Sequence, residues 1–305
     1  MGNLRLVTGA FGYTGRHLTE RLLARGLRVR TLTAHPERPH PFGDRVEVRP
    51  FAWDQPDALV ASLRGAEVLY NTYWIRFARG KLTFPRAVEN SLLLWEAARE
   101  AGVRRVVHLS IANPSLDSPL PYYRGKAQVE QALVESRLEY AIIRPTVIFG
   151  DQGILINNIA WMLRHLPVFA TPGDGEYRMQ PVHVGDLAEL MAEAGETSTK
   201  AAVLTDAVGP ETYTFNELLA LLKQTVSSRS PVLHLPPWMV LLATGMLGCV
   251  LGDVILTRDE VAGLKRNLLI SHHEPTCPTR FSSWLQENRE WLGTRYMSEV
   301  AKHYR

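Results

Sequence analysis

From residue 2 to about 150, short apolar runs rich in β-branched residues alternate with stretches of helical period. That alternation predicts a parallel sheet covered by helices. Strands are expected at Leu4–Thr8, Arg28–Thr33, Arg45–Arg49, Val68–Asn71, Arg105–Ser110 and Tyr140–Arg144, with helices in the gaps. Between Phe84 and Gly102, the residues Ala87, Leu93, Leu94, Ala97 and Ala98 share one helix side, and Gly102 is placed to cap its C-terminus. After Gly150 the alternation weakens into proline-rich connections and separate helical pieces, at Asn216–Val226 and Thr279–Leu292. In the last of these Trp284, Leu285, Trp291 and Leu292 recur one or two turns apart, as on a packed amphipathic helix. The fold class expected is α/β, a doubly wound parallel sheet over residues 1–150. A smaller, mostly helical substrate or capping region over 151–305 is expected to be partly interleaved with it.

One segment departs from both periods. Trp238 to Gly252 runs without a charge between Pro236-Pro237 and Asp253. It is short of the roughly 20 apolar residues that span a bilayer, and Gly245, Gly248 and Gly252 suit close packing. The preferred reading is a buried or partner-facing helix, with peripheral membrane contact as the alternative. Composition adds bounds. The 305 residues are 46% apolar, enough for a sizeable core, and 34 Lys and Arg against 31 Asp and Glu leave a net charge of only +3. With no basic run or matching motif, nucleic acid is not an expected partner. Two cysteines, Cys249 and Cys277, and a first strand without a basic-then-apolar leader point to a cytoplasmic protein.

The chemistry starts at the front. Leu4–Thr8 leads straight into Gly9, Gly12 and Gly15, spaced three apart, and then into a helical stretch from Arg16 to Arg25. This strand, turn and helix open a dinucleotide-binding unit: Gly9 allows the tight turn, Gly12 leaves room for a pyrophosphate, and Gly15 lets the helix approach the strand. Amides at the helix start would then face phosphates. The end of the second strand carries Thr33, Ala34, His35, Pro36, Glu37 and Arg38, with no acid at the strand end itself. Thr33, His35 and Arg38 suit a 2′-phosphate, so NADP is favoured over NAD. Tyr122 precedes Lys126 by four residues, a spacing that puts both on one helix face, where an ammonium lowers a phenol pKa and holds a ribose hydroxyl. His272, His273 and Cys277 form one short cluster without a second ligand pair, so no metal site is expected. Asp186 is read as a helix-start residue rather than a catalytic one, together with His183.

These motifs resemble the extended and atypical short-chain dehydrogenase/reductase superfamily, with its Rossmann-type fold. The resemblance rests on Thr8-Gly9-x-x-Gly12-x-x-Gly15, Asn71, Asn90, Tyr122-x-x-x-Lys126, Arg144-Pro145-Thr146 and Pro181 to Ala188. More narrowly, it is to the NAD(P)-binding branch with the nucleotide-binding accessory subunit of respiratory complex I and NmrA-like proteins. It covers about residues 3–190. It implies that Gly9, Phe11, Gly12, Tyr13 and Gly15 line the pyrophosphate, Asn71 and Thr72 the adenosine side, Ser110 the nicotinamide edge, Lys126 the nicotinamide ribose, and Pro145, Thr146 and Val147 the carboxamide. Two departures stand out. The hydroxyl that usually partners the tyrosine falls at Ile111 if it is not Ser110, and Ala52 replaces an aspartate common after the third strand.

The expected activity is an NADP-dependent oxidoreductase with Tyr122, Lys126 and Ser110 as catalytic residues, acting on a small and apolar substrate. Tyr73, Trp74, Phe77, Tyr123, Trp161 and Tyr177 are the candidate aromatic contacts. The rivals are a non-catalytic NAD(P)H-binding regulatory or assembly protein, and a sugar-nucleotide epimerase or dehydratase reading its diphosphate through Arg144, Arg164 or Arg178.

Overall fold

A computed structural model describes residues 3–196 and 202–303. The chain forms two compact units, Met1–Pro145 with Gly185–Ala207, and Thr146–Val184 with Val208–Arg305. In chain order the first unit begins β1 (Leu4–Thr8), α1 (Tyr13–Ala24), β2 (Arg28–Thr33), β3 (Val46–Pro50), α2 (Pro56–Leu63), β4 (Val68–Asn71), α3 (Phe84–Glu100), β5 (Arg105–Leu109), α4 (Pro121–Glu135) and β6 (Glu139–Pro145). The second unit opens with β7 (Val147–Phe149), α5 (Ile154–His165), β8 (Phe169–Pro172), β9 (Arg178–Met179) and β10 (Pro181–His183). The chain then returns to the first unit for α6 (Val184–Glu196) and β11 (Ala202–Ala207). It ends in the second with β12 (Tyr213–Thr214), α7 (Phe215–Thr225), β13 (Val232–Leu235), α8 (Pro237–Leu251), α9 (Arg258–Lys265), α10 (Phe281–Glu287) and α11 (Glu299–His303).

The first unit is a Rossmann-type α/β fold. Its seven strands are all parallel, in the order β11-β6-β5-β4-β1-β2-β3. Near-continuous apolar strands make this possible, because helices cover both faces of a parallel sheet. Leu6, Leu32, Leu69, Val106 and Ile142 pack with Leu63, Leu94, Trp95 and Leu133 in one buried layer. The strand order reverses between β1 and β4, the switch point at whose C-terminal strand ends folds of this kind bind their ligands. Expected and observed strands agree to within a residue or two, β5 ending at Leu109 and β3 starting at Val46.

Against the interior strands β4 and β5, α6 is held by buried polar groups. Arg105, fully buried, donates Nε to the Ala194 carbonyl at 2.8 Å, and the Tyr70 hydroxyl donates to Ala192 at 3.3 Å. Gly195 permits this approach, since a Cβ there would lie 2.0 Å from the Tyr70 oxygen. The surface of α6 is tied back to α1 by Arg25, which pairs with Glu189 and with Glu196.

The second unit has its own core, in which Phe149, Ile159, Leu163, Phe215, Leu218 and Phe281 are buried together. Two expectations change here. Helix α10 stops at Glu287 rather than continuing to Leu292. The Asn288 side chain caps the Trp284 carbonyl and receives the Trp291 indole N–H, and Gly293 adopts φ +69° to turn the chain, so Trp291 and Leu292 pack from beyond the helix. For helix α8, the buried alternative falls away and the partner-facing one stays open. Only Val240 and Gly248 of it are buried, whereas Trp238, Leu242, Met246 and Val250 are exposed. Of its three glycines, Gly248 packs closely, with a Cβ that would meet the Asp253 carbonyl at 2.6 Å. Gly245 has nothing within 4 Å, and Gly252 is a left-handed C-cap. No helix among the described residues is long and apolar enough to cross a membrane.

The Gly195→Ala variant is expected to lose about 2 kcal/mol of stability, because the methyl displaces Tyr70 and with it the clamp on α6. Urea denaturation measures this, and an unchanged midpoint would show that the close approach is dispensable.

Candidate functional site

Along the C-terminal edge of the first unit's sheet, the neighbouring strands β5, β4, β1 and β2 deliver Ser110, Asn71, Gly9 and Thr33 side by side. The glycine loop lies at the strand-order reversal. Gly9 has φ +68° and donates its N–H to Leu32 at 2.9 Å, which binds the turn to β2. Gly12 donates to the Gly9 carbonyl at 2.9 Å and is the N-cap of α1. At Gly15 a Cβ would lie 2.1 Å from the Gly9 oxygen, so only hydrogen fits between helix and loop. The first-turn amides of α1 have no intrahelical acceptor and carry the positive end of its dipole. This cradle fits a pyrophosphate. Helix α1 begins at Tyr13, three residues earlier than expected, so Tyr13 is its first residue.

One hydroxyl ties β1 to β4. Thr8 Oγ1 donates to Asn71 Oδ1 at 2.7 Å and accepts the backbone N–H groups of Thr72 at 2.9 Å and Tyr73 at 3.1 Å. Thr72 returns its own hydroxyl to the Thr8 carbonyl at 2.6 Å. Asn71 then donates Nδ2 to His108 Nδ1 at 3.1 Å, which puts the imidazole proton on Nε2. His108 is fully buried edge-on to Trp95, and burial first, then the Lys126 charge, hold its pKa well below the ordinary value. It is therefore neutral near pH 7. His108 was not singled out from sequence, since inside an apolar strand its only signal is a polar residue in a buried run.

Lys126 lies on α4, which begins at Pro121 and so carries Tyr122 and Lys126 on one face as the spacing predicted. Lys126 is buried; its Nζ donates to the Leu109 carbonyl at the end of β5 at 2.7 Å and sits 4.6 Å from the Trp74 ring centroid. Burial lowers its pKa to about 7, against the opposing pull of Glu130. Glu130 is itself engaged by Arg144 Nε at 3.0 Å. Trp74 also meets Tyr122 edge-on at 6.0 Å, and Phe84 closes on the same tyrosine at 6.0 Å. Gly125 makes room for the indole, since a Cβ there would be 3.1 Å from it. Trp74 is thus in contact with both members of the Tyr-Lys pair.

At the end of β5, Ser110 is buried and its Oγ meets no protein partner, while Ile111 and Ala112 are buried and apolar. Ser110 is the hydroxyl available there. Pro145, ending β6, accepts the Ala112 N–H at 2.8 Å. Thr146 and Val147 belong to the second unit, where the Thr146 hydroxyl donates to the Gln180 carbonyl and Val147 pairs with Pro181 in β7 and β10.

Beyond β2, Thr33 is buried and its hydroxyl accepts the His35 N–H at 3.1 Å; His35 is exposed and Arg38 partly so. The loop then folds back so that His40 stacks on Phe11 of the glycine loop, with ring centroids 4.1 Å apart and planes 9° from parallel. His40 was not anticipated, because nothing local marks a loop residue that reaches back across the strand ends. Behind β3, Phe51 stacks on Trp53 at 4.3 Å and Tyr73 joins them, holding Asn90 Nδ2 through its hydroxyl at 2.9 Å. Rings therefore occupy the neighbourhood of Ala52.

The remaining candidates separate. Arg144 is spent on Glu130, and Arg164, though exposed, on the Leu292 and Arg289 carbonyls, while Arg178 is exposed. Asp186 is in the first turn of α6. Among the described residues no three His, Cys, Asp or Glu side chains gather as for a metal.

This arrangement defines a dinucleotide site, and the comparisons with known proteins agree. Residues 9–160 match the family described as NAD(P)H-binding. The chain is 25% identical over 244 residues to the mitochondrial NADH dehydrogenase [ubiquinone] 1 alpha subcomplex subunit 9 of Arabidopsis thaliana, covering 77% of this chain and 61% of that one. It is 28% identical over 246 residues to the ceramide reductase of Caulobacter vibrioides, covering 79% and 76%. In structure it is similar to the NADPH complex of an NADPH-dependent quinone oxidoreductase from Escherichia coli, with TM-score 0.74, 19% identity, and 94% and 98% of the two chains covered. Residues 9–160 carry an NAD(P)H-binding domain, and the fold is Rossmann-type. The resemblance to the extended and atypical short-chain dehydrogenase/reductase superfamily holds.

The Lys126 environment has a sign that can be measured. Its folded pKa lies below the unfolded one, so the cost of burying the ammonium is in force below pH 7 and is relieved as pH rises toward 10. Without cofactor, the wild type is expected to gain about 2 kcal/mol relative to Lys126→Met between pH 6 and pH 9, read by urea denaturation at each pH. A difference independent of pH would mean that the amine is not held in this dry setting.

Proposed function

We propose that this protein is an NADP-preferring oxidoreductase of the atypical short-chain dehydrogenase/reductase type, with Tyr122 as the proton donor or acceptor and Lys126 as the residue that orients the nicotinamide ribose. The observation that carries it is the buried Lys126 on the same helix face as Tyr122, directly beside the end of β5. A bound NADP(H) supplies or takes the hydride. Gly9, Gly12 and Gly15 would admit its pyrophosphate, and Thr33, His35 and Arg38 its 2′-phosphate. Lys126 already donates to a backbone oxygen, which directs its ammonium and fixes its height above β5. Moving from the Leu109 carbonyl to a ribose hydroxyl exchanges one acceptor for another, so binding leaves the amine solvated by hydrogen bonds. Tyr122 is flanked by Trp74, Phe84 and Tyr123, an aromatic setting that favours an apolar carbonyl substrate. Ser110, whose buried hydroxyl has no protein partner, would hold the substrate oxygen. Relatives whose names specify reduction, the ceramide reductase and the quinone oxidoreductase, support this reading.

Removing the phenol hydroxyl separates chemistry from binding. Tyr122→Phe is expected to lower kcat by about 10²-fold or more and to change NADPH affinity by less than about threefold. Turnover retained in that variant would overturn the assignment. Cofactor preference rests on the loop after β2. NADPH is expected to bind at least about fivefold more tightly than NADH, and Arg38→Ala to erase that gap by weakening NADPH alone. A wild type that prefers NADH would reverse the choice.

A non-catalytic, NAD(P)H-binding role is favoured by one observation, the apolar Ile111 and Ala112 beside Ser110. Under it NADPH binds, no carbonyl compound consumes it, and Tyr122→Phe changes nothing but local packing.

A further inference from the structure

We infer that helix α8 seats this protein on a lipid bilayer, lying in the plane of the membrane surface. The helix has two sides. Val240, Thr244, Leu247, Gly248 and Leu251 face the second unit or are half-buried, while Trp238, Leu242, Met246 and Val250, one turn apart along the helix, are 65%, 61%, 66% and 83% exposed. Met239 widens this stripe, and Leu233 in the preceding strand is exposed as well.

The chemistry of the face selects its occupant. Trp238 to Gly252 contains no charged side chain. Its one hydroxyl, on Thr244, is turned back onto the Val240 carbonyl at 2.8 Å. Asp253, the first charge beyond the helix, is drawn inward by the Tyr296 hydroxyl at 2.7 Å and the amides of Glu299 and Val300 at 2.9 Å each. Apart from the Trp238 indole N–H at its start and the weakly donating Cys249 thiol, the face therefore offers neither charge nor free hydrogen-bonding side chain, whereas protein interfaces carry about one hydrogen bond per 100–200 Å² and a polar rim. A bilayer surface needs no such complement. It takes apolar side chains from an in-plane helix whose backbone is satisfied internally, with a tryptophan at the interfacial end. The Pro236-Pro237 entry and the left-handed Gly252 exit fix the helix ends, and α8 is too short to insert across the membrane.

The test is sedimentation of the full-length protein, under reducing conditions because Cys249 is exposed, with sucrose-loaded vesicles of pure phosphatidylcholine. The wild type is expected to partition onto them, and the double variant Leu242→Glu with Met246→Glu to bind at least about tenfold more weakly. Its melting temperature and NADPH affinity are expected to be unchanged. Adding about 30 mol% phosphatidylglycerol is expected to change wild-type binding by less than about threefold, since the face carries no charge. Three results would overturn the inference: a wild type that stays in the supernatant, binding that survives in the double variant, or a wild-type dimer that the double variant converts to a monomer. None of these outcomes depends on whether the protein turns over a substrate.

Discussion

The hydroxyl of Thr8 is the contact on which the site depends. It stands at the end of β1, where the strand order reverses, and takes hold of β4 through the Asn71 side chain and two backbone amides of the segment that follows. Those bonds set the separation of the two strand ends at the switch point that the glycine loop overhangs. Gly9 is tied to β2 on one side and reaches the Thr72 hydroxyl on the other, with 3.4 Å from its hypothetical Cβ to that oxygen. From Asn71 the same network continues to His108 and so to β5. Four adjacent strands are thus fixed in height at the edge where a dinucleotide is bound. The Thr8–Asn71 and Asn71–His108 bonds are buried, so breaking either leaves its partner without water, at a cost of about 1–3 kcal/mol.

Burial also sets the chemistry. Lys126 and His108 are close enough for the lysine charge to depress the histidine pKa, and both are dry. A neutral imidazole costs little there, whereas an ammonium is expensive unless it is hydrogen-bonded and offered a π face. The Leu109 carbonyl and the Trp74 ring supply those two partners. With its pKa near 7 the amine is poised between charge states, and acceptors on a bound ribose would draw it toward the charged one. The same desolvation that destabilises the free protein thereby makes the site more responsive to an incoming polar ligand.

Much of this was legible in the chain. Apolar runs of five or six residues, each followed by helical period, mark a parallel sheet because both faces must be buried, and β1, β2 and β4 were placed to the residue. Gly9, Gly12 and Gly15 were legible for a steric reason that acts within seven residues of sequence. What escaped was non-local. His40 meets Phe11 only because a loop folds back, Trp74 inserts against Gly125 from a different strand connection, and His108 takes its role from Asn71 one helical crossover away in sequence. The early end of α10 follows from an Asn side chain that outcompetes the next turn, a choice that propensity leaves open. Whether α8 is buried or faces outward was left open, because an uncharged run looks the same in sequence whether protein or solvent lies beside it.

Calorimetric titration of NADPH into the wild type and into Gly15→Ala addresses the site most directly, since the added methyl would lie 2.1 Å from the Gly9 carbonyl and must push α1 off the loop. The wild type is expected to bind one NADPH per chain, and the variant, folded by circular dichroism, to bind at least about tenfold more weakly. Equal affinities, or a wild type that binds no dinucleotide, would contradict the assignment of the site.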